Sequence, residues 1–235
     1  MIELKNSNHL LASLPAAVWA RWERSLEMVE LQPGQVLCES GVTMAYAYFP
    51  TSAIVAIIYV IENGDSAEIA VVGREGLVGV SLFMGGDSTP SRAVVQSAGE
   101  GIRIKAQWLK SEFHQFESVR QLCLKYTLAL LTQMSQTAVC NRHHTLDKQL
   151  CRWLLLSLDR LPGNELIMTQ ELIANMLGVR REGVTAAALQ LQKEGLIQYK
   201  RGHIKVLNRQ GLELRTCECY AVVRNEYKRL LPGCD

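Results

Sequence analysis

Met168-Thr169-Gln170-Glu171-Leu172-Ile173-Ala174-Asn175-Met176-Leu177-Gly178-Val179-Arg180-Arg181-Glu182-Gly183-Val184-Thr185-Ala186-Ala187-Ala188-Leu189 reads as two short helices across a tight turn. Thr169 is a suitable N-cap, because its hydroxyl can accept from an unpaired first-turn N–H. Met168 and Ile173 stand where a hydrophobic staple would fix the entry of the chain. Gly178 follows Leu177 where a left-handed residue would end the first helix, and a second helix starts near Arg181. Helices that cross steeply need a small residue at the crossing, which Ala174 supplies, and an apolar anchor on the second helix, which Val184 supplies. Ile173, Leu177, Val179 and Ala188 close the small core between them. This spacing predicts a DNA-binding helix-turn-helix.

Downstream, the second helix ends at Gly195. Leu196–Lys200 and His203–Leu207 then alternate in strand fashion around Arg201-Gly202, which predicts a β-hairpin wing carrying Lys200, Arg201, His203 and Lys205. A winged helix-turn-helix sets its second helix in the major groove and its wing along the phosphates. Charge agrees: the net charge is +2, yet residues 180–209 hold seven basic and two acidic side chains. Such a local excess is the footprint of a phosphate-backbone contact.

Upstream, Asp147–Leu161 is periodic and helical and stops at Pro162-Gly163-Asn164, and a terminal helix is expected from about Arg209 to Leu231. Between Gly34 and Gly101 lie ten of the 17 glycines. They punctuate strand-like runs at Gln35–Cys38, Tyr46–Phe49, Ser52–Ile61, Ala67–Val72, Ala93–Ser97 and Gly101–Lys105. Short strands at this spacing indicate an antiparallel sandwich, barrel or roll, and Asn63-Gly64 is a hairpin signal. From Trp108 to about Val139 there is neither Gly nor Pro, so one long helix is expected. Phe116, Val119, Cys123, Tyr126 and Leu130 form one apolar stripe; Leu124, Leu128 and Leu131 form a second on another face. A helix apolar on two faces must be covered twice. The first stripe is assigned to a second copy of the same helix in a homodimer; the alternative is a core helix within one chain.

The chain has 235 residues, of which 48% are hydrophobic and 20% charged. That composition excludes a largely disordered chain. The longest aliphatic run, Ala53–Ile61, is of strand length, far short of the ~20 residues a membrane span needs. Leu10–Ala20 after Lys5 has the outline of a signal peptide, but Glu3, Pro15 and the continuation through Trp19, Trp22 and Leu26 read as an amphipathic helix. Seven cysteines, an odd number at irregular spacing, suit reduced thiols in a cytoplasm.

The stretch 147–207 resembles the Crp/Fnr superfamily of bacterial transcription regulators, and the likeness extends over nearly the whole chain. Val179–Val184 looks like the start of that family's recognition helix, with Arg181 and Glu182 on its base-reading pair. Arg can grip guanine O6/N7 and Glu can accept from cytosine N4. The family often has Ser or Thr where Arg180 stands, and many members carry a further Arg where this chain has Ala186, so the operator is not transferable. The resemblance implies an α+β chain in three parts. They are an N-terminal jelly-roll-like antiparallel β-roll (1–107), a long dimerisation helix with hinge (108–144) and a C-terminal winged helix-turn-helix (145–235). The expected partners are a palindromic double-stranded DNA site, a second copy of the chain and RNA polymerase. The DNA-binding residues are assigned as Thr169, Gln170, Arg180, Arg181, Glu182, Thr185, Lys200, Arg201 and His203. Gln32–Leu37 looks like the first strand of the family's cyclic-nucleotide-binding-like roll. Its ligand motif is degenerate: the ribose-binding Glu is replaced by Val80 within Gly79-Val80-Ser81-Leu82, and Arg92 stands only near the phosphate-binding position. Ser81, Arg92, Tyr126 and Thr127 are the candidate effector residues, and no cofactor is assigned.

No metal site is expected either. The family's iron–sulfur sensors carry an N-terminal Cys cluster, and this chain has no Cys before Cys38. Cys217 and Cys219 fall in the expected terminal helix, where residues two apart point away from each other. His143 and His144, near Cys140, read as ordinary hinge residues. Two readings compete with a ligand-controlled regulator. One is a constitutive DNA binder. The other is a ligand-binding or enzymatic β-barrel, which residues 28–105 disfavour by containing no His to build a cupin-type metal site.

Overall fold

The computed structural model describes residues 2–161, 163–231 and 233. Three short helices, α1 (Ile2–Asn6), α2 (His9–Ala12) and α3 (Ala16–Trp22), lead into strands β1 (Glu27–Leu31), β2 (Val36–Cys38), β3 (Tyr46–Pro50), β4 (Ile54–Val60) and β5 (Ser66–Val72). A four-residue helix, α4 (Val80–Phe83), precedes β6 (Arg92–Ser97) and β7 (Gly99–Lys105). Helices α5 (Ala106–Gln115), α6 (Glu117–His143) and α7 (Leu146–Leu158) follow. The chain then runs through β8 (Glu165–Ile167), α8 (Gln170–Leu177), α9 (Arg181–Lys193), β9 (Ile197–Lys200), β10 (His203–Val206), α10 (Arg209–Arg215) and α11 (Glu218–Leu230).

The first seven strands make the expected antiparallel roll from two sheets, ordered β1-β7-β3 and β2-β6-β4-β5. Ile54, Val55 and Ala56 are all buried, as are Leu31, Phe49, Ile102 and Ile104, so the roll is filled largely by aliphatic side chains, with Trp22 edge-on to Phe49 at 6.1 Å. The β4–β5 hairpin turns at the expected place, with Gly64 at φ 91°. Asn8, itself fully buried, caps α2 by accepting from the Leu10 and Leu11 N–H groups and donates to the carbonyls of Pro50 and Gly76. Strand β1 was not expected from sequence; neither was β8, whose His203↔Ile167 and Lys205↔Glu165 pairing makes the wing three-stranded.

Two expected helices are broken. The long helix divides at Phe116, whose backbone is extended, and the Arg21 guanidinium lies 4.6 Å over the Phe116 ring at this joint. The terminal helix divides at Thr216 and Cys217, both extended, so that Cys217 is the N-cap of α11 and not a helical residue.

The faces of α6 also correct the sequence reading. Phe116, Val119, Cys123, Tyr126 and Leu130 are not a dimer interface, because they are turned inward against the roll of their own chain. Tyr126 is fully buried and donates to the Leu77 carbonyl at 2.9 Å, and a Cβ at Gly76 would come within 2.5 Å of its ring. Gly76 is therefore the residue that lets the helix sit so close. The outward stripe is the second one, Leu124, Leu128 and Leu131, each about half exposed.

The C-terminal region packs on the roll through buried polar pairs. Gln133 on α6 accepts from the Val71 N–H and donates to the Val71 carbonyl and the Tyr227 hydroxyl, so it bridges β5 to α11. Arg160, after α7, pairs with Glu75 at 2.7 Å with both side chains nearly inaccessible. Glu68 on β5 is buried between the roll and α7. Burial raises its carboxyl to about 8, against the opposing pull of the Trp153 indole and the charges of Arg152 and Arg160. A carboxyl whose folded value lies above its unfolded one, here 4.5, stabilises the fold most below that unfolded value. Its contribution is lost as pH rises to about 8, at about 1.4 kcal/mol per pH unit. Urea denaturation at a series of pH values should show this decline in the wild type and a flatter profile in Glu68→Gln; parallel profiles would place the titration elsewhere.

Candidate nucleic-acid interface and effector pocket

The helix-turn-helix is built as its sequence dictates. Thr169 Oγ1 accepts from the Leu172 N–H at 3.2 Å, and Gly178 closes α8 at φ 65°. Ile173, Ala174, Leu177, Val184, Ala188 and Leu191 are buried between α8, α9 and α7. With that face pinned, the N-terminal end of α9 is left free. Arg180, Arg181 and Glu182 are exposed and enter no ion pair among the described residues. Thr185 donates to Gln170 Oε1 at 2.7 Å, so two assigned residues lock the helices together while Thr169 acts as a cap. The wing turns at Arg201 and Gly202, both at positive φ, with Lys200, Arg201 and Lys205 exposed. His203 is also exposed, but its Nδ1 lies 2.9 Å from Glu165 on β8, a partner that the unexpected third strand supplies.

The second candidate site is a cavity of about 190 Å³ between the roll and α6. Its walls come from Met44, Ile57, Val72, Leu77 and Val78 of the roll, from Gly79–Ser81 at the start of α4, and from Thr127, Leu130, Leu131 and Met134 of α6. Two of the four sequence candidates, Ser81 and Thr127, line it. The other two are corrected. Tyr126 is committed to the Leu77 carbonyl behind the wall, and Arg92 turns outward to pair with Glu39 at 2.8 Å. The remaining polar groups at the wall are the hydroxyls of Thr89 and Ser91, missed by the sequence reading; among the described residues no lining side chain is charged, and Cys38 contributes an ionisable thiol. Burial raises that thiol above its ordinary value, with Glu39 adding to the effect, so it stays neutral.

A third grouping was also missed. Cys140, His144, Cys217 and Cys219 converge at the joint between α6, α7 and α11, although the sequence separates the two pairs and the expected helix would have splayed the second. The extended backbone at Cys217 is what frees its side chain to turn toward Cys219.

Residues 28–115 match the cyclic nucleotide-binding domain and residues 148–215 match the Crp-like helix-turn-helix domain. No curated protein matches the chain. Among solved structures, a crp/fnr-family protein from Eubacterium rectale is 20% identical, with a TM-score of 0.69 over 89% of this chain and 98% of that one. FixK2 from Bradyrhizobium japonicum is 17% identical, with a TM-score of 0.69 over 82% of this chain and 98% of that one. CLP, the c-di-GMP responsive global regulator of Xanthomonas campestris, is 16% identical, with a TM-score of 0.64 over 82% and 99%. At such identities these likenesses speak for the fold alone. Among the described residues no helix is long and apolar enough to cross a membrane. With residues 28–115 matching a cyclic nucleotide-binding domain and residues 148–215 a Crp-like helix-turn-helix, the chain belongs to the Crp/Fnr superfamily of transcription regulators, which are not enzymes.

Proposed function

We propose that the protein reads a palindromic DNA site as a homodimer and that a small molecule in the roll cavity controls this reading through α6. The observation that carries the DNA-binding reading is the free, polar start of α9, where Arg180, Arg181 and Glu182 stand clear of the fold on a helix whose other face is fixed. Arg181 and Glu182 would read a G·C step, while Arg180, Lys200, Arg201 and Lys205 would neutralise phosphates. A regulator so placed at a promoter would meet RNA polymerase, and it would work in a cytoplasm that keeps its thiols reduced.

The dimer reading rests on the outward stripe of α6. Leu124, Leu128 and Leu131 are followed at the same alternating spacing by Ser135 and Ala138, a heptad seam with small residues that permit close approach. Leu131 belongs to this seam and also to the cavity wall, so a ligand pressing on that wall would bear on the dimer contact. The absence of a lining cation argues against a cyclic phosphate, whose charge would be buried unpaired. The hydroxyls of Ser81, Thr89, Ser91 and Thr127 in an otherwise apolar wall suit a neutral molecule.

Three measurements test this reading. In competition binding on a duplex selected from random sequence, Arg181→Ala should lose about 1–3 kcal/mol of discrimination at a single base-pair position; unchanged preference would remove Arg181 as a reader. Light scattering of Leu128→Glu should give the mass of one chain where the wild type gives two, and a variant that stays dimeric would send the interface elsewhere. Calorimetric titration with cyclic AMP should show no saturable heat, whereas tight binding would overturn the neutral-ligand reading. A ligand-free protein already at full specific affinity would favour the constitutive binder instead.

A further inference from the structure

The structure assigns to Cys140, His144, Cys217 and Cys219 a further role: we propose that they bind one tetrahedral divalent metal ion of the zinc class, which clamps the end of α6 to the start of α11. Their ligand atoms all lie within 4.8 Å of one another. Cys140 Sγ is 3.5 Å from Cys217 Sγ, and Cys219 Sγ is 3.6 Å from His144 Nδ1. A tetrahedral ion bound at about 2.3 Å by sulfur and about 2.0–2.1 Å by imidazole has S···S edges of about 3.8 Å and S···N edges of about 3.5 Å. These two separations lie within about 0.3 Å of those edges, and the longest would close by about 1 Å through side-chain rotation.

The surroundings fit an ion as well as the distances do. The three cysteines are almost wholly buried and form a small cluster apart from the main core, where aliphatic side chains would pack better than thiols. His144 presents Nδ1 to the cluster and Nε2 to the Glu218 carboxylate at 3.4 Å. A ligating imidazole commonly donates its second N–H to such a carboxylate, which fixes the ring. Three thiolates, a neutral imidazole and a divalent ion carry one net negative charge. Arg152 supplies the opposite charge: it is buried, its Nη1 donates to Thr137, its Nε has no hydrogen-bond partner among the described residues, and its field acts on Cys140 and Cys219. With four protein ligands there is no open position, so the site would be a structural clamp and not a catalytic centre.

The decisive measurement is a cobalt(II) titration of the full-length protein, reduced, stripped with a chelator and held without oxygen. We expect one equivalent per chain, the red-region absorption of tetrahedral cobalt thiolate, and its loss on adding one equivalent of zinc. The Cys217→Ser/Cys219→Ser double variant should lose the absorption, while Cys123→Ala, remote from the cluster, should keep it. Glu218→Gln should keep the absorption but bind about 10–100-fold more weakly, which marks Glu218 as a positioning residue. Absence of the tetrahedral spectrum in the wild type would overturn the proposal whatever the variants do, and so would undiminished binding in the double variant. Neither result depends on which DNA site the protein reads.

Discussion

Helix α6 can bury only part of its apolar surface within one chain, and the rest of the structure is arranged around that limit. Its inner face is gripped by the roll, with Tyr126 against Gly76 and hydrogen-bonded to Leu77. A second face carries α11, with Gln133 joining α6, β5 and Tyr227 through hydrogen bonds that leave no polar group of its amide idle. The third, Leu124, Leu128 and Leu131, is left to water in a single chain. Apolar area of that kind in an otherwise well-covered helix is a cost until something covers it. The same helix forms the wall of the cavity and ends at the joint with the DNA-binding region, so any force on one face is felt at the others.

What was legible in the sequence was what local chemistry decides. Thr169, Gly178 and Ala174 each do a job set within a few residues, and the helix-turn-helix appears as read. Asn63-Gly64 likewise specifies its own hairpin. The faces of α6 were not legible, because two apolar stripes of similar strength say that the helix is covered twice but not by what. That choice depends on the shape of the roll, above all on the missing Cβ at Gly76. Strand β8 was missed because three residues have no periodicity to detect, and its pairing with β10 is a tertiary fact. Arg92 was misplaced for a related reason: a glutamate close in space, Glu39, draws it to the outer surface.

The four-residue cysteine and histidine cluster was invisible for a different reason. A helix read straight through 209–231 separates Cys217 from Cys219 by about 200° around its axis. Ending α10 at Arg215 and restarting α11 at Glu218 removes that constraint, since a capping residue has extended backbone and its side chain is not tied to the helical screw. Boundaries are where sequence periodicity is weakest, and here one boundary decides whether two thiols can share a ligand.

The reading head therefore has two supports that do not share residues. One is the joint at the end of α6, where Gln149 donates to the His144 carbonyl and holds the linker against α7. The other is the roll itself: the turn at Gly178 faces Ala67 on β5, where even an added Cβ would make only ordinary contact, and Gln96 on β6 reaches the Met168 sulfur before α8. Between them lie Arg160 and Glu75, a pair that is expensive to break because either partner alone would be a buried uncompensated charge. The reading head is thus held to the rest of the chain by a buried ion pair together with hydrogen bonds at the linker and on β6, so its position is set by polar contacts whose loss would leave buried groups unsatisfied.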